Sequence, residues 1–201
     1  MNRQGEKVPR DFQKCAEFHG HVCPGLAIGY RAAKAGMEWL AAKRAEDEEV
    51  VAIVETDACG ADAIQVLTGC TFGKGNFLYR DFGKQAFTFL GRKAGRGIRL
   101  ALRSGALELS GRHRELLDRI REGSATAAER GEFKKAHEEK SREILEKPLA
   151  QLFETKEVSP AIPPKAKIEP SQPCQICGEP TMGSKMKTYQ GKEICRSCYP
   201  E

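Results

Sequence analysis

The chain has 201 residues, of which 40% are hydrophobic and 30% charged, and its formal net charge is +5. This is the balance of an ordinary soluble globular protein, and its mild positive charge permits an anionic ligand or nucleic acid without requiring either. No segment approaches 18 apolar residues and the N-terminal residues lack an apolar signal core, so we expect no transmembrane helix, no export and a cytoplasmic protein.

The first predicted elements flank the sequence FHGHVCPGLAIGYRAA, residues 18–33. Residues 8–18 predict a short helix, and Pro24 suits the first turn of a second one. Apolar residues recur at helical spacing from Leu26 onwards, so we expect the second helix to run to about Arg44.

Three side chains between these helices suit metal or thiol chemistry. His19, His21 and Cys23 occupy every second position, and such positions point to the same side of an extended chain. Pro24 disfavours the helical conformation for Cys23. The spacing therefore predicts that the three side chains converge.

A buried strand and a third helix follow. The run VVAIV, residues 50–54, predicts the strand, and Thr56 or Asp57 can cap a helix that Gly69 ends. Cys59 then lies in the first turn of this helix, where the helix N-terminus favours a thiolate, and Cys23 gains the same effect from the second helix.

The rest of the core reads as strands followed by helices. Residues 76–103 alternate with period two and predict two or three antiparallel strands. Residues 112–147 are helical in composition, with a break at Gly123 or Gly131 and a stop at Pro148. The predicted fold class is α+β: helices packed on an antiparallel sheet, followed by a small C-terminal zinc-finger module.

A proline-rich segment predicts the domain boundary. Five of the ten prolines fall between residues 158 and 173, where the chain stays extended and builds no core. We therefore expect an α+β core domain over 1–157, a linker over 158–172 and a four-cysteine zinc module over 173–201.

The C-terminal module carries the strongest motif, two CxxC pairs separated by seventeen residues. Four thiolates at this spacing are typical of structural Zn²⁺, and a module this small needs the metal for stability. Two disulfides, free thiols and an iron–sulfur site are the alternatives. A hairpin is expected to turn at Gln190 and Gly191. The predicted zinc ligands are Cys174, Cys177, Cys195 and Cys198.

The core suggests a second functional cluster. His21, Cys23 and Cys59 are candidate catalytic residues of one cleft, and His19 and Asp62 are candidate cofactor-binding residues in or just outside it. Such a set can bind a second transition metal or perform thiol chemistry. The alternative is packing, because free cysteines are often buried, and packing is the favoured interpretation for Cys70.

Two further motifs are weaker. The sequence GCTFGKGN lacks the order of a phosphate-binding P-loop, so no nucleotide site is predicted, although the turn beside Lys74 can accept an anion. A basic run is interpreted as a solvated sheet face rather than a nucleic-acid site. Its members are Arg92, Lys93, Arg96, Arg99 and Arg103.

Three strings in order, FHGHVCPGLAIGYRAA, ETDACGADAIQVLTGCTFGKGNF and RDFGKQAFTF, resemble the E-subunit family of formylmethanofuran dehydrogenase over about residues 10–155. The resemblance implies an α+β core, homodimers and often a C-terminal treble-clef zinc finger. Few residues follow the last CxxC pair, so the tail is expected to be a treble clef with a single helical turn or a shorter zinc ribbon. The suspected site of the family corresponds here to His19, His21, Cys23, Cys59 and Asp62.

The resemblance leads to three functional hypotheses. The first is a metal-binding accessory or subunit-like protein of a molybdenum or tungsten enzyme, linked to methanogenesis-related C1 (formyl or formate) metabolism. The second is a small thiol- or metal-dependent enzyme acting at the His21, Cys23 and Cys59 cleft. The third and least favoured is a nucleic-acid-binding zinc protein. The resemblance implies association with a formylmethanofuran dehydrogenase-type oxidoreductase but does not establish dehydrogenase activity, and no pterin or nucleotide motif is seen.

Overall fold

The computed structural model describes residues 8–200, and the chain divides into two compact units between Lys165 and Ala166. The first unit is α+β, as predicted from the alternation of helical and period-two patterns. Residues 159–165, within the segment predicted as linker, belong to this first unit. No helix among the described residues is both long and apolar enough to cross a membrane.

A five-stranded mixed sheet forms the base of the first unit. Its strands are β1 Val50–Val54, β2 Phe77–Tyr79, β3 Ala86–Gly91, β4 Arg96–Leu102 and β5 Phe153–Val158, and they lie in the order β2-β1-β3-β4-β5. The strands β1, β3, β4 and β5 pair antiparallel, whereas β2 runs parallel to β1 with Ala52 opposite Phe77. The expectation of a purely antiparallel sheet is therefore wrong for one pair, because the helix Gly60–Thr68 carries the chain back across the sheet between β1 and β2.

The helices differ from prediction mainly at their ends. The second ends at Trp39 rather than near Arg44, and the break in the later helical region falls at Gly123 while Gly131 lies inside a helix. Strand β5 and the short helix before it were not predicted. The helices are α1 Arg10–His19, α2 Pro24–Trp39, α3 Gly60–Thr68, α4 Gly111–Arg121, α5 Ala127–Glu146 and α6 Leu149–Leu152.

The main core lies between the helices and one face of the sheet. Alternate strand residues such as Ala52, Phe87 and Phe89 face it, and they pack with Leu26 and Ile64 from the helices. This alternation follows from the period-two geometry of strands. All five side chains are fully buried, so the sheet provides a rigid base for the helix ends above it.

Two glycine positions let helices approach closely. A Cβ on Gly29 of α2 would lie 2.1 Å from the carbonyl oxygen of Gly60, and one on Gly36 would lie 2.2 Å from the Phe89 ring. Only glycine permits such distances without displacing the neighbouring backbone or ring. The contact at Gly29 brings the starts of α2 and α3 together.

The opposite face of the sheet carries a small second cluster. Val51, Ile53 and Leu90 are buried there, and Ile162 from the proline-rich segment packs against them. The Arg92 guanidinium donates hydrogen bonds to the carbonyl oxygen of Pro163 and to Glu48. These contacts explain why residues 159–165 lie with the first unit.

The second unit is a small β module. Strand β6 Ser171–Pro173 pairs with β7 Pro180–Met182, and β8 Met186–Tyr189 pairs with β9 Lys192–Cys195. The second hairpin turns at Gln190 and Gly191, both with positive φ, as predicted. A single 3₁₀ turn, Arg196–Cys198, follows the last strand.

Candidate functional site

The core cluster lies where three helix ends meet. His19 is the last residue of α1, Cys23 is the N-cap of α2 and Cys59 is the N-cap of α3. Gly20 adopts a left-handed conformation, with φ of 93°, and reverses the chain between the first two. The prediction that the chain is extended from His19 to Cys23 is therefore wrong at His19, which lies in a helix. The end of this helix and the turn at Gly20 bring the side chains of the cluster together.

The structure brings His19, His21 and Cys23 together. One ligand atom from each lies within 4.8 Å of the others, and the two imidazole centroids are 4.4 Å apart. The Cys23 Sγ is 3.9 Å from His19 Nε2. Two imidazoles and one thiol at such distances are a donor set that suits zinc and other transition metals.

Asp62 orients the ring of His19. Asp62 lies in the first turn of α3, and its Oδ2 accepts a hydrogen bond of 2.7 Å from the Nδ1–H group of His19. This bond leaves Nε2, the nitrogen that faces Cys23, with its lone pair free. A carboxylate bonded to the second nitrogen of a histidine is the usual support of a metal ligand.

Cys59 lies beside Cys23. A Cβ on Gly25 would be 3.3 Å from Cys59 Cβ and 3.8 Å from its Sγ. Burial, with a smaller contribution from the neighbouring Cys59 thiol, raises the pKa of the Cys23 thiol to about 11. The expected thiolate at Cys23 is therefore wrong for the metal-free protein, because desolvation outweighs the hydrogen bond from the Leu26 N–H group.

The four cysteines of the second unit also form one group. Their sulfur atoms all lie within 4.8 Å of one another, and all are free thiols. The Cys174 Sγ accepts hydrogen bonds from the N–H groups of Cys195 and Ile176, at 3.3 and 3.5 Å. The N–H group of Cys195, followed by those of Cys177 and Ile176, lowers the pKa of Cys174 to about 6, which favours the thiolate that binds a metal ion.

Other predicted groups serve the fold. Cys70 is fully buried and its thiol donates to the carbonyl oxygen of Val50, in agreement with packing. The Lys74 ammonium donates to the carbonyl oxygens of Ala45 and Glu46, which ties the glycine-rich turn to the loop before β1.

The basic run is largely engaged inside the fold. Arg92 pairs with Glu48, Arg99 pairs with Glu55, and the Arg96 guanidinium lies 4.9 Å from the centre of the Trp39 ring. The interpretation as a solvated face is wrong for Arg92 and Arg99, because each meets a buried carboxylate.

A second pair of histidines was missed by the sequence analysis. His113 Nε2 on α4 lies 2.6 Å from His137 Nδ1 on α5. Burial, followed by the charges of His113 and His21, lowers the pKa of His137 to about 4. No local spacing signals a pair that is separated by 24 positions.

Known proteins resemble this chain along most of its length. A protein of Archaeoglobus fulgidus named "Probable S-adenosyl-L-methionine-binding protein" is 35% identical over 192 residues, which is 90% of this chain but 51% of that protein. The chain thus spans about half the length of this curated relative. A crystal structure of a tungsten formylmethanofuran dehydrogenase FmdE-like protein from Syntrophus aciditrophicus matches with a TM-score of 0.55 and 24% identity, over 94% of this chain and 90% of the other.

The structural match supports the same fold, in agreement with the α+β arrangement described above. The model of the FmdE family, described as "Molybdenum formylmethanofuran dehydrogenase operon", matches residues 18–154, from the residue before His19 into strand β5. This range is more than half of the chain and includes every residue of the core cluster. The chain therefore belongs to the FmdE family.

Proposed function

We propose that the protein is a metal-binding accessory or subunit-like protein of formylmethanofuran dehydrogenase-linked C1 metabolism. Its core would bind one transition-metal ion through His19, His21 and Cys23, with Cys59 beside them. Its C-terminal module would hold a structural Zn²⁺. The proposed partners are a second copy of the chain and a molybdenum or tungsten enzyme, in the cytoplasm.

One observation carries the proposal for the core: the ligand atoms of His19, His21 and Cys23 lie within 4.8 Å of one another. Asp62 supports His19 by the hydrogen bond expected behind a metal ligand. His21 is exposed and Cys23 is buried, so the cluster reaches solvent through His21. A bound metal would supply a positive charge that polarises a small oxygen-containing or anionic ligand.

The tail proposal rests on chemistry and size. Four sulfur ligands fit tetrahedral Zn²⁺, and the unit otherwise buries only a small cluster around Ile194. The two hairpins pair three and four residues at a time, which is too little sheet for independent stability. We infer that the metal is needed for this unit to fold.

The alternative is a small thiol- or metal-dependent enzyme that acts in the same place. The position of Cys59 favours it, because this residue caps α3 beside Gly25 at the start of α2 and is only half-buried, so its thiol is reachable from solvent. Substrate turnover by the isolated chain that is lost in Cys59→Ser, with metal content unchanged, would favour this alternative. Copurification with a pterin enzyme and no turnover would favour the accessory protein.

The test is metal analysis of the purified full chain and two variants. We expect about two ions per chain, one at each cluster, since each donor set holds one ion. Cys177→Ser should lose the tail zinc alone. The double variant His21→Ala, Cys23→Ser should lose the core ion alone, and a core that retains its ion in that variant would contradict the proposed centre.

A further inference from the structure

A pair of histidines joins α4 to α5. His113 Nε2 lies 2.6 Å from His137 Nδ1, and only 4% of the surface of His113 is exposed. The Phe133 ring packs against both members, with its centroid 4.0 Å from that of His137 and 5.4 Å from that of His113. The pair belongs neither to the proposed metal centre nor to the main hydrophobic core, so its chemistry concerns the contact between the two helices.

Helix α4 is attached to the rest of the first unit mainly through α5. Its buried residues are His113 and Leu116, and the main core includes neither of them. Helix α5, by contrast, packs against α2, where Arg31 donates a hydrogen bond of 2.7 Å to the carbonyl oxygen of Ile144. Helix α4 can therefore separate from α5 while the core of the unit stays closed.

The charged groups that act on the two rings are positive. Lys140 on α5, which also pairs with Glu143, acts on His113, and His21 between α1 and α2 acts on His137. Burial is the larger cause in both cases, and it lowers the pKa of His113 and brings that of His137 to about 4. Among the described residues, no carboxylate forms an ion pair or a hydrogen bond with either ring. A proton added to the pair is therefore buried without a counter-charge.

The hydrogen bond between the rings requires at least one neutral ring. Two neutral imidazoles share one N–H group between His113 Nε2 and His137 Nδ1, and a lone pair on the other nitrogen accepts it. When both rings are charged, both nitrogens carry hydrogen, so two N–H groups face each other and the bond is lost. Protonation thus removes an attraction at the centre of the α4–α5 contact and adds a repulsion.

The ion pairs between α4 and α5 do not change in the same pH range. Arg112 pairs with Glu132 at 2.7 Å, and Arg119 pairs with Glu129. Hydrogen bonds from Arg112 lower the pKa of Glu132, and hydrogen bonds from the N-cap residue of α5 lower that of Glu129, in both cases below the ordinary value of 4.5. Both carboxylates therefore stay ionised above pH 4.5, where the histidines begin to take up protons.

We propose that His113 and His137 form a pH-sensitive latch, which holds α4 against α5 while the rings are neutral and releases α4 when they are protonated. Release exposes both rings to water, where a histidine takes up its proton near pH 6.5. The open form therefore binds protons first as the pH falls, and the closed form loses stability from pH 6.5 down to about 4. Between about pH 7.5 and 5.5, one such histidine raises the ratio of open to closed form about tenfold, and the second raises it further.

The test is hydrogen exchange of the full chain, read by mass spectrometry at about pH 7.5 and 5.5, with the intrinsic pH dependence of amide exchange divided out. We expect the amides of α4 to lose protection at least about tenfold at the lower pH, while those of α2 keep theirs. Equal protection of α4 at both pH values would overturn the latch. An NMR titration in which both imidazoles of the pair take up protons at about pH 6.5 or above would also overturn it.

A double variant separates the titration from the hydrogen bond. His113→Gln with His137→Asn places amide groups near the two ring nitrogens, and amides take up no proton in this range. The protection of α4 in this variant should be the same at both pH values. A pH dependence that persists would assign the protonation to His19 or His21 and overturn the proposal. If the double variant does not fold, His137→Asn alone should show a smaller pH effect than the wild type, and an undiminished effect would overturn the latch.

Glu132→Gln is the matched control at the same interface, because it breaks the ion pair with Arg112 and leaves the histidines in place. It should lower the protection of α4 by the same factor at both pH values, since Glu132 is ionised throughout this range. The change of about tenfold between the two pH values should therefore remain. Loss of the pH dependence in Glu132→Gln would make the ion pair the pH sensor and overturn the role of the histidines.

Discussion

Asp62 illustrates how one residue prepares another in the core cluster. Among the described residues, Asp62 forms no hydrogen bond with Cys23 or His21. Its bond to Nδ1 nevertheless decides which nitrogen of His19 faces them. The carboxylate is itself partly exposed, with 35% of its side chain accessible. Asp62 therefore affects metal binding only through His19, and this effect can be measured while every metal ligand remains in place.

Replacing Asp62 by Asn should weaken metal binding in the core by about 10- to 100-fold, since the amide is a poorer support for the His19 tautomer. Competition with a chromophoric chelator measures this affinity, and the tail zinc should stay bound. Asp57→Asn, an exposed carboxylate two residues before Cys59, is the matched control. Equal affinities in the two variants would argue against the role given to Asp62.

Glu55 makes the free energy of unfolding depend on pH. The Arg99 guanidinium donates to both of its oxygens, at 2.7 and 2.9 Å, and these bonds lower its pKa below the ordinary value of 4.5. Because the unfolded chain takes up the proton first, this contribution is complete above pH 4.5 and is lost as the pH falls through the folded value.

Glu55→Gln should therefore be less stable than the wild type near neutral pH, with the difference shrinking as the pH is lowered below 4.5. Urea unfolding at a series of pH values measures the difference. If the free energies of unfolding of the two proteins differed by the same amount at every pH, the ionisation of Glu55 would contribute nothing to stability.

The contact between α2 and α3 positions Cys23 and Cys59, and it depends on the absence of side chains. A Cβ on Gly29 would meet the backbone of Gly60, which cannot rotate away as a flexible side chain can. The helices α2 and α3 cross at Gly29, about one and a half turns after the N-cap Cys23. This crossing point therefore sets the distance between the N-termini of the two helices.

Gly29→Ala should lower the free energy of unfolding by about 3 kcal/mol through overpacking and should also weaken metal binding in the core. Gly131→Ala is the matched control on α5, where nothing lies within 4 Å of the added Cβ. It should raise stability by about 0.5 to 1 kcal/mol, because alanine loses less backbone entropy in a helix. Similar effects of both substitutions would contradict the close crossing.

For the molecule as a whole, we expect a second copy of the chain to bind at the edge of the sheet formed by β2. The strand pairs three residues with β1, and Phe72 before it and Phe82 after it are 65% and 58% exposed. Unpaired backbone groups and exposed aromatic rings at one edge favour association. This geometry adds to the family resemblance as a reason to expect a homodimer.

Sedimentation equilibrium at micromolar concentration should give twice the mass of the chain, and Phe82→Glu should shift the equilibrium toward monomer. A wild-type monomer under these conditions would reject the dimer. A variant that stays fully dimeric would exclude the β2 edge as the interface.

Much of the architecture could be predicted from local patterns. The run of residues 50–54 was recognisable as a strand because β-branched residues fill all but one of its positions, and the turn at Gln190 and Gly191 because glycine readily adopts the positive φ that a tight turn needs. Strand β5 was not recognisable. Its sequence FETKEV exposes four successive residues, so its pairing with β4 leaves no hydrophobic alternation to read.

The sequence by itself determined the chemistry of the two clusters: which residues can be ligands, and the spacing of the CxxC pairs. Only the tertiary structure decided that Asp62 supports His19, that Cys59 lies against Gly25 and that His113 meets His137. These contacts join residues 24 to 43 positions apart, on different helices, so they depend on how the helices pack against one another. Local patterns describe one element at a time, whereas packing sets the distances between elements.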